Sequence, residues 1–220
     1  PVLGAVSPGV FIPLADGLGL LHELSLHLIR EACTLARDRP GDFYLAFNLA
    51  PSQFLLPDLA EQIQAVVSEA GFPIKRVQVE ITENALVHDN QVARRSVDAI
   101  KRMGATLSLD DFGTGHSSLT RLQSLPFDEI KIDASFVRAL ESDSGSLKIV
   151  TAVLGLGQSL GVHVIAEGIE TDRQASLLQQ LGCTLGQGYL LGRPAHHAQA
   201  LAQLDRKSTR LNSSHITISY

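Results

Sequence analysis

Apolar residues recur along this chain with two periods that take turns. Leu21, Leu24, Leu28, Ile29, Ala32 and Leu35 fall three or four positions apart and predict a helix over about 20–37. Phe43 through Asn48 reads as a strand, and Leu59, Ile63, Val66 and Val67 return to helical spacing. Val77 through Glu83 then alternates with period two, which puts every second side chain on one face of a strand. The same exchange continues with a helix over 90–103, a strand over 105–109 and a short helix carrying Leu119 and Leu122. A strand at 129–133, a helix at 146–160, a strand at 162–167, a helix at 172–181, a strand at 184–189 and a helix from about 195 complete the series. Residues 1–19, rich in Pro and Gly, read as a loop. Six β-α units in unbroken alternation predict a parallel sheet with helical crossovers. Each strand closes on polar residues: Asn48; Glu80 and Glu83; Asp110 and Asp111; Lys131 and Asp133; Glu167; Gln187. A closed barrel gathers all such ends on one face, whereas an open doubly wound sheet gathers a ligand only at its switch point. The α/β fold expected is therefore a TIM-like (β/α)8 barrel truncated to about six β-α units, with two strands belonging before residue 1.

Composition narrows the partners. The 220 residues suffice for one large domain, and 45% hydrophobic with 19% charged is an ordinary globular mixture. A formal net charge of −5 argues against a module that grips DNA or RNA polymers through a basic face, but leaves room for a small phosphate ligand held through metal ions. Cys33 and Cys183 form neither a disulfide framework nor a zinc pattern, which fits a reducing, cytoplasmic setting. No apolar run approaches the roughly 20 residues of a membrane span. The chain begins on Pro1 rather than Met, so an upstream anchor or sensor stays open. Residues 205–220 are polar and lack helical periodicity, and they resemble a translated sequencing-library adapter. They are expected to be non-native, which leaves 1–204 as a partial domain.

The chemistry centres on Asp110 and Asp111. Neighbouring strand residues point to opposite faces, so both acids reach one site only if the backbone turns there, and Gly113 and Gly115 supply that freedom. Adjacent carboxylates repel unless a cation or a shared proton compensates. If the strand ends converge, Glu80, Asp110, Asp111 and Glu167 offer hard oxygen ligands and Asn48 a neutral one, a set suited to Mg²⁺ or Mn²⁺ rather than zinc. Several acids together suggest two ions, the arrangement used to cleave phosphodiesters. Lys131 would add a cation beside the phosphate or the water, and Asp133 follows on the same face. Each residue also has a plainer reading. Asn48 before Pro51 suits a turn, Glu80 could pair with an internal lysine, Glu83 could begin a loop, Lys131 and Asp133 could line an exposed edge, and Gln187 between glycines could turn. Six such explanations at six successive strand ends fit less well than one site.

Ordered motifs then carry a resemblance. Phe11 through Ala15, Asn48 through Gln53, Glu80 through Glu83, Asp110 through Gly115, Lys131 through Asp133, Ala166 through Thr171 and Gln187 through Tyr189 make the chain resemble the EAL domain of bacterial cyclic di-GMP phosphodiesterases, from residue 1 to about 204. The resemblance implies a modified TIM-like barrel with one strand running against the others, and hydrolysis of cyclic di-GMP to linear pGpG with two Mg²⁺ or Mn²⁺ ions. It implies that Asn48, Glu80 and Asp110 ligate metal, with Asp110 bridging to a second ion held also by Asp111. Lys131 would contact the nucleophilic water, Glu167 would match the residue proposed as general base, and Gln187 would hydrogen-bond near that water. Glu83 would hold the Asp110–Gly115 loop in its active shape, and Asp133 would be a further site carboxylate. The resemblance also implies homodimers and, in the parent, an upstream sensor, receiver or diguanylate cyclase domain.

Three departures stand out. The Glu-Ala-Leu signature with its metal-ligating Glu is absent, Asp16 stands where the family usually has Glu, and His116 where it commonly has Tyr. The fragment as it stands is expected to be inactive, because an opened barrel exposes sheet edges and a site lacking one ligand binds metal weakly. The alternative to an active parent is a catalytically inactive cyclic di-GMP receptor or protein-interaction module.

Overall fold

The computed structural model describes residues 6–39, 43–82, 91–113, 125–195 and 215–218. Six strands follow one another in space as they do in sequence: β1 (Tyr44–Asn48), β2 (Val77–Thr82), β3 (Thr106–Phe112), β4 (Glu129–Ile132), β5 (His163–Ala166) and β6 (Leu185–Gly186). Every pairing between them is parallel, so all their C-terminal ends lie on one side. The strands make a curled half-barrel clad in helices, matching the truncated TIM-like fold read from the alternation. Burial on both faces of β2 follows from this: Val77, Val79 and Ile81 join the apolar core, while Gln78 and Glu80 are equally buried on the other face.

The crossovers are α2 (Leu21–Ala36), α3 (Leu59–Glu69), α4 (Gln91–Arg102), α5 (Ala134–Ala139), α6 (Ser144–Leu160) and α7 (Asp172–Gln180), with α1 (Pro8–Gly17) ahead of them. Their starts are chemically marked. Asp143 caps α6 by accepting from the Gly145 and Ser146 amides, and Thr171 with Gln174 forms a full capping box on α7. Ile100, Leu107, Leu109, Ile130, Ile132 and Val150 fill the layer between helices and sheet.

Some boundaries differ from expectation. Pro8–Gly17 is helical rather than a loop: Pro8 sits at the helix start, where its missing amide costs nothing. The strand expected to stop before the two acids runs on through Asp110 and Asp111 to Phe112. The six-residue α5 carries no clear period and escapes sequence reading. Residues 215–218, set aside as tail, form β7 (His215–Ile218), parallel along β1 from Tyr44↔His215 to Phe47↔Ile218. The expected helices around Leu119 and beyond Ala195, together with Glu83, lie outside the described residues. No helix among the described residues is long and apolar enough to cross a membrane.

Candidate active site

Lys131 is the only cation in a buried knot of acids from neighbouring strands, among the described residues. Its Nζ donates to Glu80 Oε1 at 2.9 Å and to Glu167 Oε1 at 2.6 Å, and lies 3.5 Å from Asp110 Oδ1. Strand register explains the meeting. Glu80 precedes by two the residue paired with Asp110, and Lys131 lies on the same face of β4 as Glu129, which pairs with Ser108. The side chains of Glu80 and Lys131 are 1% and 3% exposed, so water cannot share the neutralisation. Burial alone would lower the affinity of the lysine for its proton, but the charges of Glu80, Glu167 and Asp110 outweigh it and hold the ammonium above its ordinary range. Burial pushes the Glu80 carboxyl up, against the pull of Lys131. The internal lysine anticipated as one possible partner for Glu80 is thus Lys131 itself.

Asp110 and Asp111 reach the site together through a break in the ladder. Pairing with β4 shifts register between Leu109 and Phe112, and Asp111 adopts φ +56°. Asp tolerates that left-handed conformation better than most residues. The Asp111 amide donates to Asp110 Oδ1 at 3.0 Å, which fixes one carboxylate over the next peptide. Burial and then the charges of Asp110 and Asp133 push the Asp111 carboxyl up. Asp133 lies just past β4, where it caps α5 by accepting from the Ser135 amide and hydroxyl, and it also meets Asp111.

Glu167 and Gln187 are held by a second backbone lacing. The Gln187 amide donates to Ala166 O, the Ile169 amide to Gln187 O, and the Leu190 amide to Ile169 O. Gly188 makes this approach possible: a Cβ there would fall 2.2 Å from Ile169 N. Gln187 Nε2 consequently donates to Glu167 Oε1, the same atom that takes Lys131 Nζ. Burial pushes the Glu167 carboxyl up to about 7, Lys131 opposing and Asp110 reinforcing.

The donor set fits a divalent cation. Carboxylate oxygens of Asp110, Asp111 and Glu167 lie within 4.8 Å of one another. Glu80 Oε2 is buried and has no hydrogen-bond partner among the described residues, an atom whose desolvation calls for a ligand. All these donors are hard oxygens. Asn48 ends β1 in register with Glu80, on the same face. The structure therefore brings together Glu80, Asp110, Asp111, Lys131, Asp133, Glu167 and Gln187, places Asn48 beside Glu80, and leaves Glu83 outside the described residues. Sequence reading missed a second buried polar group, Gln78, Ser108 and Glu129. The signal was present: each lies two residues before a site residue on its own strand.

The sequence and the fold recur in known proteins. Residues 1–194 match the EAL domain. MucR of Pseudomonas aeruginosa, a bifunctional diguanylate cyclase/cyclic di-GMP phosphodiesterase, is 36% identical over 208 residues, which are 93% of this chain and 30% of MucR. The chain spans about a quarter to a third of the length of the curated relatives it matches. The PaMucR phosphodiesterase in its cyclic di-GMP complex superposes with a TM-score of 0.84 at 35% identity, over 89% of this chain and 81% of that one. The manganese and cyclic di-GMP complex of Klebsiella pneumoniae BlrP1 gives 0.78 at 31% identity, over 89% of this chain and 50% of that one. With its acids, lysine and glutamine set on successive strand ends of the same half-barrel, the chain belongs to the EAL domain family.

Proposed function

We propose that the parent of this domain hydrolyses one phosphodiester of cyclic di-GMP to linear pGpG with two Mg²⁺ or Mn²⁺ ions, lowering the second messenger in bacterial signalling. The observation that carries this reading is the buried cluster of Glu80, Asp110 and Glu167 around Lys131, with Asp111 beside it and Glu80 Oε2 unpartnered among the described residues. MucR's recorded activity and the manganese complex of BlrP1 support the substrate class and the cation class.

Asn48, Glu80 and Asp110 would hold one ion, and Asp110 with Asp111 a second. Bound there, the ions would lower the pKa of an attacking water and offset charge on the phosphate oxygens. The chain's own residues do the rest. Lys131 keeps a full positive charge at the site and directs Glu80 Oε1 and Glu167 Oε1 toward itself. Glu167 Oε1 already accepts from both Lys131 and Gln187, so a proton from water would be taken at Oε2. A carboxyl pushed up to about 7 is poised to take and return a proton near neutrality. Asp133 would be a further site carboxylate beside Asp111, and Glu83 would support the loop that follows Gly113. The parent would be cytoplasmic at this domain, would carry an upstream sensor, receiver or diguanylate cyclase domain, and would form homodimers.

Replacing Glu80→Ala or Asp110→Ala in the full-length parent tests the roles. Each change should abolish turnover of cyclic di-GMP. Wild-type rates in either variant would refute the assignment.

A further inference from the structure

Asn48 stands among the proposed metal ligands, and a built turn presents it. Leaving β1, the chain gives the Leu49 amide to Glu80 O at 3.1 Å and then folds back on itself. One residue closes the fold-back twice. The Gln53 amide donates to Ala50 O at 3.0 Å, and the Ala50 amide donates to Gln53 Oε1 at 3.0 Å. This reciprocal pair has the form of a capping box, with the glutamine three positions after the residue whose amide it takes. Gln53 opens the single helical turn Gln53–Leu55, and that turn is pinned from outside. Phe54 is fully buried, and Ser96 Oγ on α4 donates to Phe54 O at 2.9 Å. Gln53 thus carries the hold of the core and of α4 back to Ala50, two residues from Asn48.

Stability alone does not account for a glutamine here. Gln53 is 3% exposed, yet its Nε2 has no hydrogen-bond partner among the described residues. An unpaired amide nitrogen is costly to bury, and a methionine of similar length would fill the space without it. What the glutamine supplies instead is an oxygen on the Ala50 amide. The β1–β2 ladder ends at Asn48↔Glu80, so beyond the Leu49 amide this bond takes over from strand pairing.

We propose that Gln53 is a positioning residue for Asn48: its side-chain oxygen closes the turn after β1 and so fixes the strand end from which Asn48 would meet a divalent cation beside Glu80. A ligand held in place before the ion arrives needs less ordering on binding. This rests on the metal-dependent reading of the site given above.

The test is made in the full-length parent, by Mn²⁺ binding in calorimetry, kcat, and the thermal midpoint of the chelated protein. Gln53→Met removes the oxygen and keeps the bulk. It should weaken Mn²⁺ binding about tenfold and lower kcat about tenfold, while the thermal midpoint holds. Gln53→Glu returns an oxygen to the Ala50 amide in either protonation state. Its Mn²⁺ affinity and kcat should recover to within about threefold of wild type, at a lower midpoint because a carboxyl is buried. A merely structural role predicts the reverse order of the two variants. Asn48→Ala should weaken Mn²⁺ binding by about tenfold or more, and adding Gln53→Met to it should cost no more than about twofold further, because both act through one ligand. Three results would overturn the inference and leave the metal reading standing: Gln53→Met binding Mn²⁺ as wild type does, a folded Gln53→Glu as impaired as Gln53→Met, or a double variant whose loss is the product of the two single losses. Wild-type Mn²⁺ affinity in Asn48→Ala would instead refute Asn48 as a ligand and take the inference down with it.

Discussion

An ammonium enclosed by protein is stable only where acids replace its water, and Lys131 has Glu80, Glu167 and Asp110 for that purpose. The dependence runs both ways. Lys131→Met removes the cation and leaves Glu80 and Glu167 buried beside Asp110. It should cost about 3–5 kcal/mol in urea unfolding of the chelated protein, and added Mn²⁺ should recover part of it. Unchanged stability in that variant would mean the acids are protonated or hydrated in the native state. Glu167 gives a sign to the pH dependence. Its folded value of about 7 lies above the ordinary 4.5, so the native state holds a proton that the unfolded chain releases. That contribution to stability is complete below about 4.5 and is lost as pH rises through about 7. Chelated wild-type protein should therefore lose stability from pH 5 to pH 8, and Glu167→Gln should flatten the slope. A wild-type slope retained in the variant would assign the proton elsewhere.

At the scale of elements, the loop after β5 and the turn after β6 act as one piece, because Ala166, Ile169 and Gln187 exchange backbone hydrogen bonds. Gly188→Ala puts a methyl group into Ile169 backbone and should cost both stability and turnover, since it displaces Gln187 from Glu167. Thr171→Ala removes the capping box of α7 and the exposed hydrogen bond from the Thr171 hydroxyl to Glu141; about 1 kcal/mol of stability should go, with kcat retained. A larger loss in Thr171→Ala than in Gly188→Ala, measured by thermal unfolding, would contradict this ranking. The elements themselves were largely legible: period two and period 3.6 place the six strands and the long helices. What was not legible depended on contacts that a one-dimensional pattern does not carry. Leu35 fits the helical spacing of α2 yet is 47% exposed, while Ser25 on the same helix is buried by bonding back to Leu21 O. Polar strand ends pointed to the meeting of Glu80, Asp110, Lys131 and Glu167. They did not predict that Asp111 would turn by a left-handed residue within β3, because register shift is set by the neighbouring strand. The Glu129 layer was missed for a related reason, since attention to strand ends overlooks the residue two positions earlier on the same face.

Across the whole molecule, the six strands in sequential order leave β1 and β6 as the two ends of the half-barrel, with β7 lying along β1. Strand edges of this kind accept any compatible partner. We read residues 205–220 as non-native, so a chain ending at residue 204 should unfold at the same temperature as the longer one; a clear drop would make β7 part of the fold. The function proposed for the domain is settled most directly by its product. The complete parent domain, ending near residue 204, would be incubated with cyclic di-GMP and Mg²⁺ or Mn²⁺ and the nucleotides separated by chromatography. Linear pGpG should accumulate and should cease to form when a chelator is added. Cyclic di-GMP bound but recovered intact, with metal present, would contradict a phosphodiesterase and point to a receptor.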